Sequence, residues 1–176
     1  MKTTLTLTPC EDVHLSEITR IYGHAVQHGT ASFETEPPTE TEMRRRRCAL
    51  RDAGYPYLVA LCDGRVVGYA YVSAYRARAA YGATVENSVY VDPALQGQGV
   101  GRALLDDLVQ LCSQGPWRQM VAVIGDSANR ASIRLHEAAG FALVGTLRSV
   151  GFKHGRWLDT VLMQRPLGHG DRTPRT

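Results

Sequence analysis

The feature that most restricts the fold of this chain is a glycine-rich turn between an apolar strand and an amphipathic helix. Residues 84–91 are rich in β-branched and apolar side chains, as in a strand, and the turn runs from Gln96 to Gly101. Apolar residues then recur at helical spacing, at Val100, Leu104, Leu108 and Leu111. The first N–H groups of a helix lack intrahelical partners and lie at the positive end of its dipole, and glycines let the backbone approach a pyrophosphate. The turn therefore predicts an anion-binding site.

Two other interpretations of this turn are open. The glycines also suit a tight turn that binds nothing. A dinucleotide site is disfavoured, because its G-x-G-x-x-G loop follows the first strand of a βαβ unit and an acidic residue ends the next strand about 20 residues later. Here the strand after the helix ends in Val123, Ile124 and Gly125, without an acidic residue.

Hydrophobic patterns divide the rest of the chain into strands and helices. They predict strands at 3–8, 57–62, 66–74, 84–91, 120–124, 141–149 and 158–164. They predict helices from Glu11 to about His28, from Thr39 to Ala53, from the glycine-rich turn onward, and from Ser127 to Ala139. The order β-α-α-β-β-β-α-β-α-β-β is that of one α/β domain over residues 1–167, followed by a disordered tail over residues 168–176.

Composition and charge argue against several classes of protein. The net charge of +3 is too small to indicate nucleic acid. The arginines at 44–47 would suit a nucleic-acid-binding module, but acidic residues precede them and they point in several directions around the predicted helix. Apolar runs are only strand-sized and no secretory signal is present, so we expect a cytoplasmic protein without a membrane partner. The four cysteines stand far apart, so we expect reduced thiols and no metal.

Motifs in the second half of the chain resemble those of GCN5-related N-acetyltransferases (GNAT). The stretch from Val89 to Gly101 is similar to the acetyl-CoA pyrophosphate loop of that family, and residues 129–141 are similar to its Asn-x-x-Ser helix and closing Gly-Phe. Further stretches resemble the phosphinothricin and methionine sulfoximine N-acetyltransferases, at 33–38, 76–81, 85–91, 122–125, 134–138 and 151–159. The resemblance covers about residues 3–166.

The resemblance implies the fold, the reaction and the partners. The expected fold is the GNAT fold, a mixed and mostly antiparallel central sheet flanked by helices. The expected reaction transfers acetyl from acetyl-CoA to the α-amine of a small amino-acid analogue of the phosphinothricin, methionine sulfoximine or methionine sulfone type. A homodimer is also implied, with Trp157 and the last strands as interface parts.

Two residues are the expected catalytic groups. An α-amine is largely protonated at neutral pH, so the reaction needs a base. Glu86 matches the glutamate to which the resembled family assigns deprotonation, and a solvated charge at the end of a strand is the alternative. His136 lies four residues after Ser132, hence on the same side of the helix, and its imidazole can be a base, an acid or a structural group.

The resemblance also implies the binding residues. Those for the cofactor are Val89, Tyr90, Val91, Gln96, Gly97, Gln98, Gly99, Val100, Gly101, Arg102, Asn129 and Ser132. Those for the acceptor are Phe33, Arg76, Arg78, Tyr81, Ser88 and Tyr90. The two guanidinium groups would hold a carboxylate or phosphinate. Plain surface charge is the alternative for the arginines, and helix capping is the alternative for Asn129 and Ser132. Gln96 stands where many relatives have arginine, so one charged contact to phosphate is missing.

Other functions stay open at this point. An acetyltransferase for a peptide N-terminus, a polyamine or another amine would keep the fold and the cofactor. A polyamine site should be lined with acids, and a peptide N-terminus offers no free carboxylate nearby, whereas Arg76 and Arg78 lie near the predicted acceptor pocket. More distant alternatives are a non-catalytic acyl-CoA sensor and the nucleic-acid-binding module.

Overall fold

The computed structural model describes residues 5–174, which form a seven-stranded sheet with helices on both faces. The strands are β1 (Leu5–Pro9), β2 (Tyr57–Cys62), β3 (Arg65–Ala74), β4 (Thr84–Val91), β5 (Gln119–Gly125), β6 (Ala142–Lys153) and β7 (Arg156–Pro166). The helices are α1 (Leu15–His28), α2 (Glu40–Asp52), α3 (Val100–Gln114) and α4 (Arg130–Ala138). This is the predicted order of elements. Residues 3 and 4 of the predicted first strand lie outside the described residues.

The sheet is mixed and mostly antiparallel, as predicted. Its strand order is β1-β2-β3-β4-β5-β7-β6, and β4 and β5 are the parallel pair at its centre. The β2–β3 hairpin turns through Asp63 and Gly64, with φ angles of 50° and 79°. These positive values suit an Asp-Gly pair, because aspartate tolerates and glycine favours that conformation.

The two faces of the sheet carry different cores. Helices α1 and α2 cover one face, where apolar residues of α1 pack on a group of aromatic rings formed by Tyr57, Tyr69, Tyr71 and Tyr90. Helices α3 and α4 lie on the other face. There Val100, Leu104 and Leu108 are buried as their spacing predicts, but Leu111 is 39% exposed because it lies at the edge of the buried stripe.

The structure corrects two predicted boundaries. Helix α4 begins at Arg130, after Asn129 as its N-cap, and the predicted first residues from Ser127 form a turn. Asp126 closes that turn, since its carboxylate accepts a bond from the N–H of Ala128 at 2.9 Å. In place of the disordered tail, residues 168–173 form turns in which Gly170 is buried and Arg118 donates to Thr173 at 3.1 Å. For residues 175 and 176, outside the described part, the prediction stays a prediction.

Three further features concern membrane spans, metal ligands and cysteines. Among residues 5–174, no helix has the length and apolar character needed to cross a bilayer. In the same range, no group of three or more histidine, cysteine or acidic side chains is arranged to hold a metal ion. The cysteines are free thiols at Cys10, Cys48, Cys62 and Cys112.

Candidate active site

The centre of the sheet opens where β4 and β5 separate. The two strands pair from Thr84 with Gln119 to Asn87 with Ala122, and then β4 continues beside β3 while β5 continues beside β7. The carbonyl of Thr84 accepts a bond from the N–H of Tyr75, just after β3, at 3.4 Å, and the N–H of Asp92 donates to Val67 of β3 at 2.8 Å. Because backbone groups alternate along a strand, the N–H and C=O groups of Val89 and Val91 point toward the gap. The gap therefore presents the backbone that a ligand can pair with as an added strand.

A cavity of about 280 Å³ lies at this opening. It brings together eight of the predicted site residues, namely Phe33, Glu86, Ser88, Val89, Tyr90, Asn129, Ser132 and His136. Sequence reasoning missed the other residues of its wall, which are Ala31, Ser32, Asn87, Ala122, Val123, Ile124, Gly125 and Thr160. Most of these line it because the strands diverge, and a divergence of strands leaves no pattern in the sequence.

Glu86 lies in the wall of the cavity, on β4 and one residue before the last pair with β5. Its side chain is only partly exposed, and burial raises its pKa above the ordinary 4.5, although the positive charge of Arg76 opposes that rise. A carboxylate of raised pKa is a stronger proton acceptor than a solvated one. The residue therefore has both the position and the basicity for proton removal inside the cavity.

His136 is buried, with 4% of its surface exposed. Its Nδ1 lies 2.8 Å from the carbonyl oxygen of Ser132, one turn earlier in α4, and its Nε2 lies 2.9 Å from Nδ2 of Asn87. The ring meets Phe141 edge to face at a centroid distance of 5.0 Å. Burial lowers the pKa of His136 below 6.5, and the bond to the Ser132 carbonyl only partly opposes this. The imidazole is therefore neutral near pH 7.

The glycine-rich turn has the conformation that its sequence predicts. Gly97 and Gly99 have φ angles of 75° and 86°, which other residues rarely adopt, and Gly99 is the N-cap of α3. Gly101 packs between Val91 and Leu135, so the start of α3 lies beside the open end of β4. Its first N–H groups have no intrahelical acceptor and suit an anion there.

The rest of the predicted cofactor residues divide into two groups. Val91, Gln96 and Asn129 line a neighbouring cavity of about 400 Å³, which shares Ala31 and Asn129 with the first. Residues 97–102 line neither cavity, and Arg102 is ion-paired with Asp106 at 2.5 Å. Asn129 also caps α4, because its Oδ1 accepts a bond from the N–H of Ser132 at 3.2 Å. Capping and a place in the cavity thus coexist at Asn129.

Phe33 reaches the cavity from the loop between α1 and α2. Its ring lies against two glycines, since an added Cβ would approach ring atoms to 2.9 Å at Gly125 and to 2.3 Å at Gly151. The loop is held by a closed set of bonds, in which the N–H of Glu34 donates to Ser32 Oγ, Ser32 to Tyr22, and Tyr22 back to the Glu34 carboxylate. The buried ammonium of Lys153 also donates to the Ser32 carbonyl at 2.7 Å.

The structure does not bring Arg76, Arg78 or Tyr81 into the wall of the cavity. All three are exposed on the segment between β3 and β4. The guanidinium of Arg76 lies 5.0 Å from the ring centroid of Tyr75, and Tyr81 meets the same ring edge to face at 5.8 Å. Arg76 is still close enough to Glu86 for its charge to lower the pKa of that carboxyl. Arg76 therefore borders the site from outside.

Comparison with known proteins agrees with this architecture. The profile of the Acetyltransferase (GNAT) family matches residues 18–141. A phosphinothricin N-acetyltransferase of Alcaligenes faecalis is 57% identical over 168 residues, covering 96% of this chain and 85% of that protein. An L-methionine sulfoximine/L-methionine sulfone acetyltransferase of Salmonella typhimurium is 41% identical over 164 residues, covering 93% and 95%.

A solved structure gives the same result at the level of the backbone. The crystal structure of a GNAT superfamily phosphinothricin acetyltransferase from Sinorhizobium meliloti, in complex with acetyl-CoA, superposes with a TM-score of 0.95 at 49% identity. The superposition covers 98% of this chain and 94% of the Sinorhizobium meliloti chain. The chain belongs to the GNAT family, in its phosphinothricin and methionine sulfoximine acetyltransferase branch. It is an acetyl-CoA-dependent N-acetyltransferase.

Proposed function

We propose that this enzyme acetylates the α-amine of a small amino-acid analogue of the phosphinothricin, methionine sulfoximine or methionine sulfone type, with Glu86 as the base. The relatives named for these acceptors support the acceptor class. The observation that carries the chemistry is a partly buried carboxylate of raised pKa in a cavity at the point where the sheet opens.

The residues present fit acetyl-CoA as the co-substrate. The gap beside Val89 and Val91 offers backbone groups to the pantetheine arm, and the N-terminus of α3 offers N–H groups to the pyrophosphate. One N–H in the gap would polarise the thioester oxygen, which makes its carbonyl carbon more electrophilic. Position 96 is glutamine and not arginine, so binding of acetyl-CoA would depend mainly on these backbone groups.

Glu86 would act on the acceptor before the new bond forms. The carboxylate removes one proton from the ammonium, directly or through a water, because only the neutral amine has a lone pair for attack. The amine then forms the C–N bond at the thioester carbonyl, and the C–S bond breaks. The nitrogen loses a second proton, and one proton ends on the sulfur of CoA.

The acceptor would enter from the side of Phe33 and Arg76. The Phe33 ring and Ser88 supply an apolar and a polar part of the wall, and Tyr90 also lines it. We place the carboxylate of the acceptor toward Arg76 and Arg78, whose guanidinium groups can take two oxygens at once. The exposure of both side chains leaves them accessible to a ligand.

The same proposal includes a homodimer. The outer strand β6 and the start of β7 expose an apolar strip made of Leu143, Val144, Leu147, Val150, Phe152 and Trp157. A second copy of the chain would cover this strip, since large apolar patches at a sheet edge favour association. Sedimentation of the wild type and of Trp157→Glu tests this: a dimer that the substitution converts to monomer supports it, and a monomeric wild type contradicts it.

Thiol release from acetyl-CoA tests the reaction. The acceptors are methionine sulfoximine, phosphinothricin, methionine sulfone, ordinary amino acids, spermidine and a peptide with a free N-terminus. We expect turnover with the amino-acid analogues and a loss of about 100-fold or more in Glu86→Gln. Glu137→Gln, an exposed glutamate on α4, is the matched control and should retain activity. Turnover confined to spermidine or the peptide would refute the acceptor class.

A further inference from the structure

Asn87, to which sequence reasoning gave no role, holds the ring of His136 where β4 and β5 separate. It is the last residue of β4 that pairs with β5. Asn87 is 6% exposed and His136 is 4% exposed, and both lie in the wall of the 280 Å³ cavity. Glu86 and Tyr90 are the other titratable side chains in that wall. The Asn87–His136 pair thus lies at the vertex of the opening, next to the proposed base.

Burial and hydrogen-bond partners together indicate the protonation state of His136. A carbonyl oxygen only accepts, so Nδ1, 2.8 Å from the Ser132 carbonyl, carries a proton. In a neutral imidazole this leaves a lone pair on Nε2. The group 2.9 Å from Nε2 is then the Asn87 amide nitrogen, which donates, because the amide oxygen would oppose one lone pair to another. Both bonds therefore fit the neutral ring with its proton on Nδ1, which is also the charge state that burial favours.

This arrangement leaves one atom of Asn87 without a partner. Its Oδ1 has no hydrogen bond within residues 5–174 and is shielded from solvent. A buried acceptor without a bond costs about 1–3 kcal/mol. An apolar residue at 87 would avoid this cost but would give Nε2 no donor. The amide is accordingly explained by its bond to His136 and not by packing.

We propose that Asn87 is a positioning residue that keeps His136 as the neutral Nδ1–H tautomer, so that His136 is not the acid that protonates the CoA thiolate. The inference rests on the proposed acetyl transfer. In this form the ring has one N–H proton, which the Ser132 carbonyl holds, and Nε2 has none to donate. The proton on the CoA sulfur then derives from the amine nitrogen, which loses two protons, one to Glu86 and one to the thiolate.

The Asn87 amide fits a protonated ring only after the amide has rotated so that its oxygen and nitrogen exchange places. A proton on Nε2 requires an acceptor, and rotation of the amide would place Oδ1 there and move the nitrogen to the unpartnered position. In the observed orientation Nδ2 faces Nε2, so the neutral ring is the form that Asn87 fits. A carboxylate at 87 would instead stabilise the protonated ring, since it only accepts.

The test is the protonation of the ring nitrogens, read from their ¹⁵N shifts in two-bond ¹H–¹⁵N spectra of the whole protein. His136→Gln identifies the signals. We expect a protonated Nδ1 and an unprotonated Nε2 in the wild type over about pH 6 to 8. In Asn87→Asp we expect Nε2 to stay protonated to higher pH, because a neighbouring carboxylate raises a histidine pKa by about 1 to 3 units.

Kinetics of the same variant separate positioning from support of the fold. Asn87→Asp should lower kcat by about tenfold or more, while the KM for acetyl-CoA stays within about twofold. A protonated Nε2 in the wild type at pH 8, or an Asn87→Asp enzyme with unchanged ¹⁵N titration, would overturn the proposal. The wild-type spectrum decides the tautomer without any variant. It also needs no turnover, so failure of the proposed reaction would be seen separately, as no thiol release by the wild type.

Discussion

Two groups of arginines in this molecule differ in what surrounds them. On α2, Arg44 to Arg47 all take part in ion pairs, with Asp12, Glu34, Glu40 and Glu42. Between β3 and β4, Arg76 and Arg78 form no ion pair within residues 5–174, and Arg76 lies over an aromatic ring. Charges already neutralised by the fold serve its stability, whereas unpaired charges beside a cavity are available to an anionic ligand. The comparison explains why four consecutive arginines need no nucleic acid to account for them.

The largest expected effect concerns the unpaired group. Replacing both Arg76 and Arg78 by glutamine should lower kcat/KM for the amino-acid acceptor by about 100-fold or more, since each charged hydrogen bond is worth about tenfold to 100-fold in affinity. Steady-state kinetics measure this. The matched control, Arg44→Gln with Arg45→Gln, should keep wild-type kinetics. With the decarboxylated amine as acceptor, wild type and double variant should become equal, and a persistent difference would contradict a carboxylate contact.

The next effect lies in the paired group, at its buried member. Arg47 is 7% exposed, bonds to Asp12 at 2.7 Å, and donates to the carbonyl of Cys10. Arg47→Met keeps the aliphatic stem but leaves that carbonyl without its partner, so the free energy of unfolding should fall by about 2–3 kcal/mol. Urea denaturation measures the change. Arg45→Met, on the exposed side of the same helix, should leave the midpoint unchanged, and equal losses in the two variants would remove the distinction.

A smaller effect, dependent on pH, is expected at Arg46. Burial raises the pKa of Glu34, but the bonds from Arg46 and Tyr22 outweigh it, and the net pKa is lowered. A lowered folded-state pKa stabilises the fold above the unfolded value of about 4.3 and loses that contribution as pH falls through the folded value. Arg46→Met should therefore cost about 1 kcal/mol at pH 7. Denaturation at pH 7 and at pH 3 should show the difference from wild type shrinking at the lower pH. A difference independent of pH would assign the loss to packing instead.

Much of the fold could be predicted because its signals are local. The Asp63-Gly64 turn, the N-cap at Thr39 and the glycine at the start of α3 each act within a few residues. The end of α4 was likewise predicted, but its start was not, because Asn129 and Ser127 are both good caps and the turn closed by Asp126 chooses between them. Residues that favour an N-cap indicate where a helix can begin. Hydrogen bonds and packing in the folded chain decide which of these positions is used.

The site was predictable to a lesser degree, for a physical reason. Glu86 and His136 were assigned by resemblance, and the structure places both in one cavity. Asn87 was missed because nothing in the residues around it indicates a role. Its bond partner, His136, lies 49 residues further along the chain. Thr160 and Gly125 enter the cavity wall through the pairing of β5 with β7, which no short pattern reveals.

The separation of β4 from β5 affects where the native state opens locally. Four residue pairs, from Thr84–Gln119 to Asn87–Ala122, are the direct link between a β1–β4 half and a β5–β7 half of the sheet. Each half is joined internally by longer antiparallel ladders. The two halves of the sheet are thus joined by a short ladder. Within the sheet, amide hydrogen exchange should be fastest along β4 and β5, where these strands face the gap. A bound pantetheine arm would lie between β4 and β5 in the gap. Acetyl-CoA should therefore slow exchange at Val89 and Val91 and stabilise the folded sheet.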